Sequence, residues 1–377
     1  MFRFILLSKP TIIKPSAQRS ETFTARNLEH SAIHTQPMVS AIIPARDEEA
    51  SIARTIESVA AQSEVEEIIV VNDQSTDRTA EILSRLSVTI SKLRILSVEA
   101  LPPGWVGKNY AASLGAAQAR GEWLLFTDAD TYHLLGSTRR ALTDAVDHGA
   151  VLVSYSPEQE LGSFWERALI PMVYSRLALR YPFNRVNDPK LPDAAANGQF
   201  LMILRDVYEK IGGHAAVASQ ILEDVALATR VKNAGYGIYF TAPLATIQTR
   251  MYRTLPAMWQ GWTKNLYPLM GGSTRQILRE ILDVFPLFFL LATLILWWLL
   301  VHSHPLSLWA FVALVIAGLG LYSLGKGFSL YGNPNSLSAI KYYVAGVCLY
   351  TAALLSSWWK NTRGRVLWKG RSYPPAA

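Results

Sequence analysis

Two carboxylates one residue apart, Asp128 and Asp130, close a short apolar run, Leu124-Leu125-Phe126-Thr127. The run reads as a buried strand, and the acids sit where it emerges. Carboxylates that close repel each other unless a positive charge lies between them. A hard divalent cation, Mg²⁺ or Mn²⁺, is a natural partner and can bridge to substrate phosphates. The same two residues could instead form an acidic turn that caps the next helix. The choice rests on what the chain places beside them.

Three further polar clusters follow apolar runs. Residues 39–43 read as a strand stopped by Pro44, and Ala45-Arg46-Asp47-Glu48-Glu49 leads into a helix. Residues 68–71 form a second strand, followed by Asn72-Asp73-Gln74-Ser75-Thr76-Asp77. A third strand, 94–98, precedes a Pro/Gly loop that delivers Lys108 to an Ala-rich helix. Strand starts recur roughly every 28 residues with a helix between them, the rhythm of βα units and a mostly parallel sheet. The carboxyl ends of such strands share one edge, where ligands bind. Arg46, Asp73, Lys108, Asp128 and Asp130 therefore fall within reach of one ligand. Asp73 suits a hydrogen-bond acceptor for a base or ribose, and Lys108 and Arg46 suit phosphate or base contacts. Asp47 and Asp77 read as helix caps.

The next stretch adds a strand at 150–155 and an amphipathic helix at 163–180 with Trp165, Arg167, Arg176 and Arg180. That helix suits either a membrane surface or ordinary packing. Small residues, Ala194 to Gly198, open into a strand at 200–204 and would let a bulky ligand approach the backbone. His214, after two glycines, could contact a diphosphate or be structural. Glu223-Asp224 opens a helix over 225–233, so the pair could cap it. Alternatively, Asp224 is a general base facing an incoming hydroxyl. Trp259 and Trp262 share a helix face with Lys264 nearby, as an acceptor wall or a membrane-interface belt.

Composition narrows the partners. The chain has 377 residues, half of them hydrophobic, and a net charge of +7. No nucleic-acid motif accompanies the basic excess, which leaves anionic lipid and phosphate. The single cysteine, Cys348, permits no intrachain disulfide and fits a cytoplasmic catalytic part. Residues 1–37 form a polar, basic leader without the pattern of a signal peptide. Residues 281–301 and 306–324 are apolar runs long enough to span a bilayer, and 342–359 is a weaker third. Residues 360–377 are a basic tail, which favours the cytoplasm. Three spans would put tail and catalytic part on opposite sides, so the number of crossings stays open.

Four segments together resemble family 2 glycosyltransferases of the GT-A fold. They are Ile43-Pro44-Ala45-Arg46-Asp47-Glu48-Glu49, Val71-Asn72-Asp73-Gln74-Ser75-Thr76-Asp77, Thr127-Asp128-Ala129-Asp130 and Glu223-Asp224. The segments around Gly104-Trp105-Val106-Gly107-Lys108, Gly212-Gly213-His214 and Gly261-Trp262-Thr263-Lys264 look closer to the carotenoid-pathway and hopanoid-associated branch. The resemblance implies an α/β, Rossmann-like GT-A domain over 38–272, and the apolar runs add two to three C-terminal transmembrane helices within 281–359. It implies a nucleotide-sugar site with Pro44, Ala45, Arg46, Glu48, Asp73, Lys108 and Asp128. Metal would sit on Asp130 with Asp128, Asp224 would be the base, and transfer would invert the anomeric carbon. Glu223, His214, Trp259, Trp262 and Lys264 would lie on the acceptor or diphosphate side. The chain lacks the Arg-Trp of the Gln-x-x-Arg-Trp segment of processive members, which favours single transfer over polymer synthesis. The expected reaction moves a sugar from a nucleotide-diphosphate sugar to a terpenoid lipid at the cell membrane. A sugar transferase acting on polyprenyl phosphate and a nucleotide-sugar-binding membrane scaffold are the alternatives.

Overall fold

The computed structural model describes residues 38–284, 337–364, 366–368 and 371–373. The leader and most of the two long apolar runs lie outside the described residues. The described chain divides into two compact units, residues 38–160 with 181–251, and residues 161–180 with those from 252 onward.

The first unit contains β1 (Val39–Ala45), α1 (Ile52–Ala60), β2 (Val65–Asn72), α2 (Thr79–Thr89), β3 (Leu93–Ser97), α3 (Gly107–Gln118) and β4 (Trp123–Phe126). Next come β5 (Thr131–His133), α4 (Ser137–Asp147), β6 (Leu152–Tyr155) and β7 (Glu158–Gln159). Helix α5 (Phe164–Arg180) belongs to the second unit. The first unit resumes with α6 (Phe183–Val186), β8 (Leu201–Leu204), α7 (Arg205–Lys210), α8 (Glu223–Asn233), β9 (Ile238–Thr241) and β10 (Ile247–Thr249).

Seven strands form one sheet in the order β3-β2-β1-β4-β8-β6-β9. Only β8 runs against its neighbours. The expected α/β, mostly parallel sheet is therefore what the chain forms. Successive β1 residues serve opposite layers: Ile42 packs with α3 residues Ala111, Ala112 and Ala116, and Ile43 with α1 residues Ile52, Ile56 and Val59. Both faces of the strand are dry, as the uninterrupted apolar run requires. The small residues of α3 set its distance from the sheet. A Cβ on Gly115 would lie 2.6 Å from Ile42 Cγ2.

One strand end departs from the sequence reading. Pro44 does not stop β1; it pairs with Val71, and the strand runs to Ala45. Ile42 C=O accepts from Thr127 on the β4 side, whereas Ala45 C=O accepts from Asp73 on the β2 side. By alternation, the nitrogen of Pro44 faces the β4 side, where pairing ends at Ile42. Its missing N–H therefore costs no ladder bond. A second sheet, β5-β10-β7, was not foreseen; its strands are two or three residues long.

The second unit is mostly helical among the described residues, with α9 (Leu255–Leu269), α10 (Thr274–Val284) and α11 (Leu337–Thr362) beside α5. A two-stranded hairpin, β11 (Val366–Trp368) with β12 (Arg371–Tyr373), occupies part of the basic tail. In α11, Ser357 Oγ accepts from the Tyr267 N–H at 2.8 Å, and Lys360 Nζ donates to Thr263 Oγ1 at 2.9 Å. On α5, Arg176 pairs with Glu280 at 2.7 Å and Asp283 at 3.0 Å, while Leu169, Ile170, Met172 and Val173 are buried. Packing thus takes much of the α5 surface. The third apolar run, 342–359, falls within α11. No helix among the described residues is long and apolar enough to cross a membrane. Tyr350, Ala353 and Leu354 are buried, and Ser357 and Asn361 continue that buried surface with polar groups.

Candidate active site

The carboxyl edge of the main sheet carries the polar loops. Those after β1 and β2 are bound to each other side chain to backbone. Asp47 Oδ1 accepts from Thr76 N–H at 2.7 Å, and the Asp47 N–H donates to Ser75 Oγ at 3.0 Å. Asp77 accepts from the N–H groups of Glu49 and Thr79, both at 2.9 Å. Asp47 and Asp77 therefore tie the β1 and β2 loops together. The N-cap positions of α1 and α2 are Ser51 and Arg78, so the capping role expected of the two acids falls to neither. Glu48 lies at the start of α1, where its carboxylate accepts from Ser51 Oγ at 3.1 Å. Arg46 Nη1 donates to the Asp73 carbonyl at 2.9 Å, and the Asp73 side chain is buried. Ala45, at the end of β1, is buried too.

Beside these loops lies a small pocket. Pro44, Lys108, Asp128, His214, Glu223 and Asp224 line it, with Phe126, Leu201 and Leu227 as apolar wall. Residues as far apart in sequence as Pro44 and Leu227 thus share one chamber. Lys108 Nζ stands 2.7 Å from both Asp128 Oδ1 and Glu223 Oε1. Burial works against its charge, but Asp128, Glu223 and Asp224 outweigh it and hold the ammonium well above the usual lysine range.

Asp224 opens α8. Its Oδ2 accepts from the Gly198 N–H at 2.9 Å, and its Oδ1 from its neighbour Val225 at 2.8 Å. Burial, then the charge of Glu223, push its carboxyl up to about 7, against Lys108 and the two N–H groups. That value suits a group that must accept a proton near neutrality. A Cβ on Gly198 would lie 2.7 Å from Lys108 Nζ. Sequence reasoning took the small residues there as room for a ligand. The room beside Gly198 holds the lysine ammonium instead.

His214 is buried, and burial followed by the charge of Lys108 lowers its imidazole to about 3. Its Nδ1 lies 2.9 Å from Tyr208 Oη, which also accepts from the His214 backbone N–H at 3.0 Å. It is a neutral ring fixed at the cavity wall. Trp259, Trp262 and Lys264 belong to α9, in the second unit. Trp262 is buried edge-on to Tyr252 and Tyr174, with centroids 6.1 Å and 6.4 Å away.

Among the described residues, no three His, Cys, Asp or Glu side chains converge into an ion cage. Mg²⁺ and Mn²⁺ seldom need one, because one or two carboxylates with substrate phosphates commonly hold them. Asp128 and Asp130 offer the hard oxygen donors that such an ion takes, and Lys108 at Asp128 marks that position as one demanding positive charge.

Residues 40–212 match the profile of Glycosyl transferase family 2. It is 25% identical over 352 residues to a 4,4'-diaponeurosporenoate glycosyltransferase of Staphylococcus aureus (strain USA300), covering 92% of this chain and 89% of that one. It is 28% identical over 254 residues to the protein of the same name from Staphylococcus haemolyticus (strain JCSC1435), covering 64% of each chain. The fold is similar to that of a mannosyltransferase from Pyrobaculum calidifontis solved with GDP-Man and Mn²⁺. That match has a TM-score of 0.51 and 17% identity, over 89% of this chain and 93% of that one. The protein is a glycosyltransferase.

Proposed function

We propose that the protein transfers a sugar, with inversion, from a nucleotide-diphosphate sugar to a lipidic acceptor of terpenoid type at the cell membrane. The observation that carries the reading is Asp224: a carboxylate raised to about 7, held by Gly198, sharing its chamber with Asp128 and Lys108. Arg46 and Asp73 mark the nucleotide end, where the β1 and β2 loops are bound together. Asp224 accepts the proton of the acceptor hydroxyl as the new oxygen–carbon bond forms. The bond from the anomeric carbon to the diphosphate oxygen breaks on the opposite face, and the nucleoside diphosphate leaves. Lys108 lies beside the Asp-x-Asp turn, where an ammonium can meet the departing charge. Asp130 and Asp128 would hold Mg²⁺ or Mn²⁺, which when bound neutralises negative charge on the diphosphate.

The acceptor class is supported by the names of the two staphylococcal relatives and by the apolar runs of the sequence. Those runs also support a multi-pass anchor, and the single cysteine and basic tail support a cytoplasmic catalytic unit. A polyprenyl-phosphate acceptor would require a cationic pocket. Lys108, the lysine lining the described cavity, is already engaged by Asp128 and Glu223.

The test is sugar transfer to extracted membrane lipids from a panel of nucleotide sugars, comparing the wild type with Asp224→Asn. Loss of about 100-fold or more in turnover is expected on removing a general base. Full turnover by the variant would remove Asp224 from the mechanism.

A further inference from the structure

Beneath the Asp-x-Asp turn lies a buried polar chain that the mechanism above does not use. Thr127, immediately before Asp128, donates its hydroxyl to the Gln199 carbonyl at 2.8 Å. That proton is thereby committed, so His133 Nε2, 2.9 Å away, must donate to Thr127 Oγ1. The Gln199 amide donates to Thr249 Oγ1 at 3.1 Å, and Thr249 donates onward to the Asp130 carbonyl at 3.1 Å. Gln199, Thr249, Thr127 and His133 are all at least 97% buried. Burial holds the His133 ring neutral, near 3, and its Nδ1 is buried without a partner.

Gln199 therefore meets the Asp-x-Asp turn at both ends, at Thr127 directly and at Asp130 through Thr249. Its neighbour Gly198 donates to Asp224. The main chain of two residues thus joins the carboxylate base to the turn that carries Asp128 and Asp130. A buried hydrogen-bonded link such as Gln199–Thr249–Asp130 fixes geometry more firmly than it adds stability. From this juxtaposition we infer that Gln199 and Thr249 are positioning residues. They set the separation of Asp224 from the Asp-x-Asp turn, so that base and diphosphate-binding group address one donor sugar from opposite sides. The inference rests on the function proposed above and adds a supporting layer to the same site.

The experiment removes the links one at a time in the full-length protein. Thr249→Val deletes the hydroxyl at nearly constant volume, and Thr249→Ser restores it. Gln199→Met deletes the amide but keeps the backbone carbonyl bonded to Thr127. Three quantities are read: melting temperature, kcat and KM for transfer, and Mn²⁺-dependent affinity for UDP and GDP by calorimetry. Removing support of this kind costs about 10- to 100-fold. Thr249→Val and Gln199→Met should therefore lower kcat, the Mn²⁺-dependent affinity, or both by about tenfold or more. Melting should stay near wild type, and Thr249→Ser should recover most of the loss. If Thr249→Val does not fold, Gln199→Met carries the test; failure of both to fold would make the network purely structural and overturn the inference. Unchanged kcat and affinity in folded variants, or no recovery with Ser, would also overturn it. A wild type that binds nucleoside diphosphate but transfers no sugar would refute the proposed reaction alone, and the binding arm would still decide the positioning role. A wild type that binds neither UDP nor GDP would refute both.

Discussion

Asp224→Asn should make the protein more stable at pH 8 while it abolishes transfer. A carboxyl raised from the ordinary 3.8 to about 7 is disfavoured as an anion in the fold. The unfolded chain loses that proton near pH 4, the folded chain only near pH 7, so stability falls as pH rises through this window. The full difference corresponds to roughly 4 kcal/mol above pH 7, and to less than about 1 kcal/mol at pH 4. Asp224 keeps partial access to solvent, which reduces the figure by about half. An asparagine can accept from Gly198 or Val225 but not both, a loss of about 1 kcal/mol. The net gain at pH 8 is then about 1 kcal/mol, or roughly 2–4 °C in a domain of this size. At pH 4 the sign reverses. The assay is thermal melting of wild type and variant in EDTA across pH 4 to 8, with transfer measured in parallel. An advantage of the variant that is the same at pH 4 and pH 8 would refute the reasoning, because the difference between the two proteins is assigned to the Asp224 carboxylate charge.

Three other outcomes follow from the same sheet edge. Gly198→Ala should fold, since its Cβ meets the far end of the Lys108 side chain at 2.7 Å rather than backbone. Transfer should nonetheless fall about tenfold as Lys108 leaves its place between Asp128 and Glu223, which steady-state kinetics will show. Lys108→Met should cost about 1–2 kcal/mol, because two carboxylates lose their shared counter-charge, and calorimetric melting should show a larger Mn²⁺-induced upshift than in wild type. Asp130→Asn should remove the Mn²⁺-dependent part of nucleoside diphosphate binding, about 10- to 100-fold, and leave the metal-independent part in place, measured by titration with and without EDTA.

The parts of the site legible in the sequence are those whose role is set by their immediate neighbours. Asp73 follows β2, Lys108 opens α3, Asp128 follows β4 and Asp224 opens α8, so a strand-and-helix rhythm suffices to bring them to one edge. Asp47 and Asp77 read as caps for the opposite reason: their partners in the other loop lie 28 and 29 residues away, and only the sheet edge brings them near. Pro44 misled for a different reason. Whether proline ends a strand depends on which neighbour its nitrogen faces and where that neighbour stops, and this is a property of the sheet rather than of β1. The short sheet β5-β10-β7 escaped because three-residue strands show no alternation to read. The Gln199 network is more remote still. Thr249 and Asp130 are 119 residues apart, and threonine and glutamine in a chain are unremarkable until folding seals them from water. Gly198 combines both cases: its small size is visible, but what the missing side chain makes room for is decided by Lys108, ninety positions earlier. A sequence thus announces the groups that meet a ligand sooner than the groups that hold them, because the former sit at strand ends and the latter acquire meaning only through contact.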